Sequence, residues 1–194
     1  CPEAWLLNYT NPMPINSLGF LLGTKQRGLD VNYVGLCHSV QGTGKELASY
    51  LDIPYEELEY FVAGINHMSW FLKLKHKGKD LYPALFKAMD DPEIYKKNKV
   101  RFEIMRHFGY FVTESSEHMS EYTAFFIKDP KLIEELDIPI NEYITRSERN
   151  LKEYDKIRDK IVGGGHLDVE HSHEYASGII KAITTGTPWT FNGN

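Results

Sequence analysis

Two strand-like runs, Ala4-Trp5-Leu6-Leu7-Asn8-Tyr9 and Val31-Asn32-Tyr33-Val34-Gly35-Leu36, flank a segment of helical character. Together they predict strand, helix, strand. Asn11-Pro12-Met13-Pro14 ends the first strand, because proline cannot donate to a ladder and restricts the residue before it. A helix is expected from Ile15 to about Leu22, and Gly28 to Asp30 turns the chain into the second strand. Strands joined through a helix run parallel. Another helix opens at Gln41-Gly42-Thr43-Gly44 and runs through Leu51.

The pattern changes near Tyr60. Leu58 to His67 is a further apolar run that ends in an imidazole, and it is expected to end beside the first two strands in one sheet. Ser69-Trp70-Phe71-Leu72-Lys73-Leu74-Lys75 alternates in polarity before the turn-like His76-Lys77-Gly78-Lys79, so a small antiparallel hairpin is expected. Helical spacing then dominates. Pro92 to His107 reads as one helix with Gly109 as its C-cap, Asn141 to Val162 as a long charged helix ended by Gly163-Gly164-Gly165, and Glu174 to Thr185 as the last. The expected fold class is α/β with α+β character: a parallel βαβ segment followed by a mainly helical lobe that carries the hairpin. Residues 1–68 form the first region and 69–194 the second.

Composition narrows the function. The 194 residues are 42% hydrophobic and 25% charged, as in an ordinary globular protein. A formal net charge of -5 supplies no basic field for nucleic acid or an anionic membrane. No apolar run has the length of a membrane span. Two cysteines, one of them Cys1, do not make a disulfide framework, so a reducing cytoplasm is expected.

The chemistry concentrates where strands end. Val31 to Leu36 stops at Cys37-His38-Ser39, and Leu58 to Asn66 stops at His67. Open α/β sheets bind ligands at the carboxyl ends of their strands. A thiolate and an imidazole from two such ends can hold one divalent metal with open positions. Taken singly, each residue has a bland reading as a buried apolar thiol or a structural histidine. Gln41-Gly42-Thr43-Gly44-Lys45 lacks the complete phosphate-loop pattern, and no Gly-x-Gly-x-x-Gly occurs. Thr113 to Tyr122 is the densest polar cluster; a serine cap with Glu at a helix start explains most of it, but its aromatic flanks suit a group with a shifted pKa. The Glu170-His171-Ser172-His173-Glu174 cluster reads as a helix N-terminal turn ahead of a metal site.

These segments resemble glycoside hydrolase family 4, in its α-galactosidase (melibiase) subgroup. The resemblance is carried by Asn8 to Met13, Val34 to Thr43 with Cys37-His38-Ser39-Val40, Ala63 to Met68, Gly109 to Tyr122, Glu174-Tyr175-Ala176 and Phe191 to Asn194. It implies NAD and Mn²⁺ as cofactors, and it departs from the two-carboxylate scheme of most glycosidases. Hydride leaves sugar C3 for NAD, C2 is deprotonated and the glycosidic oxygen departs; water then adds at C1 and the redox steps reverse. Carried over, Cys37 and His67 match the metal ligands and Asn11 a substrate-binding asparagine. His38 stands where some relatives place an acidic proton donor, work that an imidazole could do. The C2 base falls within Glu114 to Tyr122, with Tyr122 first and Glu114, otherwise substrate-binding, second.

The resemblance further implies a truncated Rossmann-like sheet. Residues 1–68 would be the end of a dinucleotide-binding-like region, in a chain lacking the N-terminal nucleotide unit and inactive alone. The expected substrate is an α-galactoside such as melibiose, and the expected assembly a homo-oligomer. An α-glucosidase, an α-glucuronidase or a non-catalytic metal-binding or oligomerisation fragment are the alternatives.

Overall fold

The computed structural model describes residues 3–168 and 174–191. Strand β1 (Trp5–Asn8), helix α1 (Met13–Gln26) and strand β2 (Asn32–Gly35) form the expected right-at-the-start βαβ unit. The two strands are parallel, with Trp5 opposite Asn32 and Asn8 opposite Gly35. Helix α1 begins earlier than its sequence pattern suggests because Pro14 lies in the first turn, where a missing amide hydrogen costs nothing. Helix α2 (Ser39–Tyr50) follows β2 almost at once.

A short 3₁₀ turn at Tyr55–Glu57 leads into β3 (Leu58–Ile65), β4 (Met68–His76) and β5 (Lys79–Asp80). These strands make a separate antiparallel sheet in the order β3-β4-β5. The expectation that Cys37 and His67 end strands of one sheet is therefore wrong. Ile65 pairs directly with Met68, so Asn66 and His67 form a two-residue turn that reverses the chain before β3 can reach β2. The tight turn depends on Gly64. Its φ is 141°, and a Cβ there would overlap the Met68 carbonyl oxygen and lie 2.5 Å from the Ser69 Cα.

A bulge opposite Phe61 and Val62 leaves Leu72 as the extra residue of β4. The side-chain alternation shifts there, so Phe71 and Leu74 both reach the core although they are three residues apart. The outer edge of β4 is completed by residues 111–113. The Phe71 amide donates to the Phe111 carbonyl at 2.9 Å and the Thr113 amide to the Ser69 carbonyl at 3.0 Å.

The remaining elements are helices α3 (Tyr82–Ala88), α4 (Pro92–Tyr95), α5 (Lys99–Phe108), α6 (Ser116–Tyr122), α7 (Pro130–Glu135), α8 (Glu142–Val162) and α9 (Ala176–Thr185). The single helix expected over Pro92 to His107 is broken at Asn98. Its buried amide turns away to bond Glu46 Oε1 at 2.6 Å and the Tyr50 hydroxyl at 2.7 Å. Gly109 does cap α5, with φ 82°.

Among the described residues, three apolar clusters hold these parts. Leu47, Phe71, Leu74, Leu85, Phe102 and Phe111 join α2, the antiparallel sheet, α3 and α5. Val100, Ile104, Val112, Met119 and Leu136 join α5 to α6 and α7. Val34, Leu36 and Ile179, flanked by Tyr175 and Phe191, tie β2 to α9. The fold is thus α/β with α+β character. Among the described residues no helix is long and apolar enough to cross a membrane.

Candidate active site

Three segments deliver the polar side chains. The β2 ladder ends with the Leu36 amide on the Asn8 carbonyl at 2.8 Å, and Cys37 and His38 project beyond it. The β3–β4 turn presents His67, held at φ 62°, a left-handed conformation in which histidine is among the more tolerated side chains. The strand-like 111–113 segment hands over to Glu114, after which the Ser115 hydroxyl accepts from the His118 amide and starts α6.

Cys37 Sγ lies 3.6 Å from His67 Nε2. In zinc sites, thiolate and imidazole bonds of about 2.3 and 2.0–2.1 Å at a tetrahedral angle put the two donor atoms about 3.5 Å apart. The pair therefore fits adjacent positions on one divalent cation, and the cavity leaves its other positions open to a ligand. Glu114 Oε2 is 3.4 Å from the same His67 nitrogen. Burial pushes the Cys37 thiol up, but hydrogen bonds from His67 and Ser39 outweigh it and lower the thiol to about 7. A large thiolate fraction, the form that binds metal, is therefore present at neutral pH. The hydrogen bond to Cys37 raises the His67 imidazole, burial opposes it, and Glu114 adds to the rise.

His67 is the hub. Its Nδ1 is 3.4 Å from the Tyr122 hydroxyl, and the two rings stack at 17° with centroids 6.1 Å apart. His118 meets both edge-on. Burial, then the charges of Glu114 and Glu121, push the Tyr122 phenol up.

A cavity of about 730 Å³ is lined by Asn11, Cys37, His38, His67 and Glu114, with Arg101 and Glu174 also on its wall. An adjoining cavity of about 600 Å³ shares Asn11 and His67 and adds Tyr122. All six sequence-predicted residues thus converge, five on one cavity and Tyr122 on its neighbour. His38 is exposed and pairs its Nδ1 with Glu174 Oε1 at 3.4 Å. Residues 170–173 of the histidine cluster lie outside the described residues. Gln41 to Lys45 lies inside α2 rather than forming a phosphate loop, and the Thr43 hydroxyl donates to the Thr113 carbonyl at 2.7 Å.

Sequence reasoning missed Arg101 and Tyr175. Arg101 is 3% exposed. It donates to Glu46 Oε2 at 2.7 Å, Asn98 Oδ1 at 3.0 Å, the Thr43 hydroxyl at 2.6 Å and the Val112 carbonyl at 3.0 Å. It thereby pins the segment that carries Glu114. Its signal was a cation on the apolar face of α5, beside Val100, Ile104 and Met105. Tyr175 stood in Glu174-Tyr175-Ala176, one of the segments that carry the resemblance, but nothing in its spacing gave it a role.

Fold and site together define a mixed α/β protein with an open thiol–imidazole donor pair over a polar cavity. Residues 62–194 match the family 4 glycosyl hydrolase C-terminal domain and residues 1–53 match family 4 glycosyl hydrolase, so the chain belongs to glycosyl hydrolase family 4. It is 46% identical over its whole length to an alpha-galactosidase of Bacillus subtilis (strain 168), covering 44% of that protein. An alpha-galactosidase of Rhizobium meliloti (strain 1021) is 34% identical over 95% of the chain, which covers 39% of it. The chain spans less than half the length of these curated relatives. A solved 6-phospho-alpha-glucosidase from gut microorganisms, in complex with NAD and Mn²⁺, superposes with a TM-score of 0.63 at 20% identity, over 94% of this chain and 43% of that one.

Proposed function

We propose that this chain carries the metal- and sugar-binding part of an NAD- and Mn²⁺-dependent α-galactosidase that works by oxidation, elimination and addition. The observation that carries the reading is the Cys37–His67 donor pair, 3.6 Å apart, opening onto a cavity that Asn11, His38 and Glu114 also line. The 46% identity to an alpha-galactosidase supports galactosides over other sugars, and the NAD and Mn²⁺ bound by a structural neighbour support the cofactors.

Cys37 and His67 would hold the divalent metal, which would supply polarisation of the neighbouring sugar oxygens, and NAD would supply a hydride acceptor and donor for sugar C3. The chain's own residues supply the rest. Asn11 and Glu114 bind sugar hydroxyls. With Nε2 of His67 occupied as a ligand, its proton sits on Nδ1 and points at the Tyr122 oxygen 3.4 Å away. That hydrogen bond favours the phenolate, which removes the C2 proton. Burial, then the Glu114 and Glu121 carboxylates, push the phenol the other way. His38, steadied by Glu174, hands a proton to the departing glycosidic oxygen. The enzyme is proposed to act on small α-galactosides such as melibiose, in the cytoplasm and as a homo-oligomer.

The test compares nitrophenyl α-galactoside, α-glucoside and α-glucuronide as substrates of the full-length enzyme with NAD and Mn²⁺. The α-galactoside is expected to turn over fastest, and Cys37→Ser is expected to abolish metal-dependent turnover. Preference for another sugar overturns the substrate assignment, and an unaffected Cys37→Ser variant overturns the site.

A further inference from the structure

We infer that Tyr175 is a positioning residue for the Cys37 thiolate, so that the segment around α9 completes the metal-binding end of β2. The inference rests on the reading of Cys37 and His67 as metal ligands.

The last ladder bond of β2 is made by Leu36. Beyond it, the Cys37 amide and carbonyl have no strand neighbour. The Tyr175 hydroxyl takes that place, accepting from the Cys37 amide at 3.3 Å and donating to the Cys37 carbonyl at 2.9 Å. The Gln41 side chain also bonds this hydroxyl. One oxygen thus meets both backbone groups of a single residue, as an adjacent strand would. That fixes the Cys37 backbone and with it the direction of Sγ toward His67. Cys37 and Tyr175 are 138 positions apart, so this order comes from the tertiary fold alone.

The tyrosine is itself held firmly. Its ring meets Tyr9 edge-on at 6.4 Å and packs on Trp189 at 6.2 Å and Phe191 at 5.8 Å. Trp189 closes over α9 because position 178 is glycine; a Cβ there would sit 2.7 Å from the indole. Ile179 locks the same helix onto Val34 and Leu36. The ring packing gives Tyr175 its place, and the hydroxyl makes the hydrogen bonds to Cys37. A partner that orients a metal ligand is worth about 10–100-fold in metal affinity.

Tyr175→Phe separates the two contributions, since it keeps the ring and deletes the oxygen. Ile179→Ala is the packing control, because it loosens the same cluster and leaves the hydroxyl. The probe is Co²⁺, titrated into the whole chain and read by thiolate-to-cobalt absorption. Tyr175→Phe is expected to weaken Co²⁺ binding about tenfold, while Ile179→Ala lowers thermal stability more and Co²⁺ affinity less. Alkylation of the Cys37 thiol, measured without metal in a Cys1→Ser background, is expected to change rate in Tyr175→Phe and not in Ile179→Ala. Unchanged Co²⁺ affinity and alkylation in Tyr175→Phe overturn the inference, as does an equal loss in Ile179→Ala. Absence of any Cys37-dependent cobalt spectrum in the unaltered chain overturns the metal-site reading instead, and the alkylation rates then still decide the role of Tyr175.

Discussion

Replacing Arg101 with methionine tests whether the buried guanidinium holds the site together. The stem volume is kept, so the effect comes from the charge and its donors. Four hydrogen bonds disappear. Glu46 keeps its bonds from Asn98 and Tyr50 on Oε1, but Oε2 loses its cation. The Val112 carbonyl loses its Arg101 donor, and the Thr43 hydroxyl loses the group that directs it at Thr113. Breaking one side of a buried pair costs about 3–5 kcal/mol. The Glu46 side chain is 32% exposed, so water partly replaces the guanidinium and the low end, about 3 kcal/mol, applies. In a chain of this size that lowers the melting temperature by roughly 6–12 °C, read by circular dichroism. Arg101→Met combined with Glu46→Leu removes both charges and is expected to recover part of the loss. A drop under about 2 °C in the single variant, or a double variant worse than the sum of the singles, would refute the reasoning.

Gly64→Ala places a methyl against the Met68–Ser69 backbone at a strained φ, so it is expected to cost at least about 1–3 kcal/mol and to loosen Co²⁺ binding by moving His67; a fully stable variant with unaltered cobalt affinity contradicts this. Hydrogen bonds from His76 and Lys77 hold the Glu57 carboxyl below the usual carboxylate range, so its contribution is present at neutral pH and lost as pH falls through that lowered value. The melting-temperature gap between the unaltered chain and Glu57→Gln should therefore be largest near neutrality and close in acid, and a gap independent of pH shows the pair to be inert. The full-length enzyme, given Mn²⁺ and an activated α-galactoside but no NAD, is expected to show no turnover above its Cys37→Ser variant. A positioned base alone supplies only about 10²–10⁴-fold, far too little for a C2 proton beside an unoxidised C3; clear metal-dependent hydrolysis without NAD would count against the redox scheme.

What could be read from the sequence is what local physics dictates. The βαβ start follows from two apolar runs around a proline-bounded helix, and β1 and β2 pair in parallel as expected. The Gly109 cap and a serine start for α6, which proves to be Ser115, were legible because capping is settled by residues within one turn. Cys37 and His67 stood out because each ends an apolar run, and each does end up facing the other. The route to that meeting was not legible. A period-two run does not say which strand it pairs with, and β3 folds back on β4 through a turn whose tightness rests on Gly64 rather than joining β2. The helix that the flanking periodicity favours is interrupted before Asn98, whose side-chain amide bonds Glu46 and Tyr50, partners 52 and 48 positions away. Arg101 and Tyr175 act through partners far away in the chain. Spacing along a sequence carries no information about such contacts, which exist only once separate elements pack and bring backbone groups, a buried cation and a phenol to the same point.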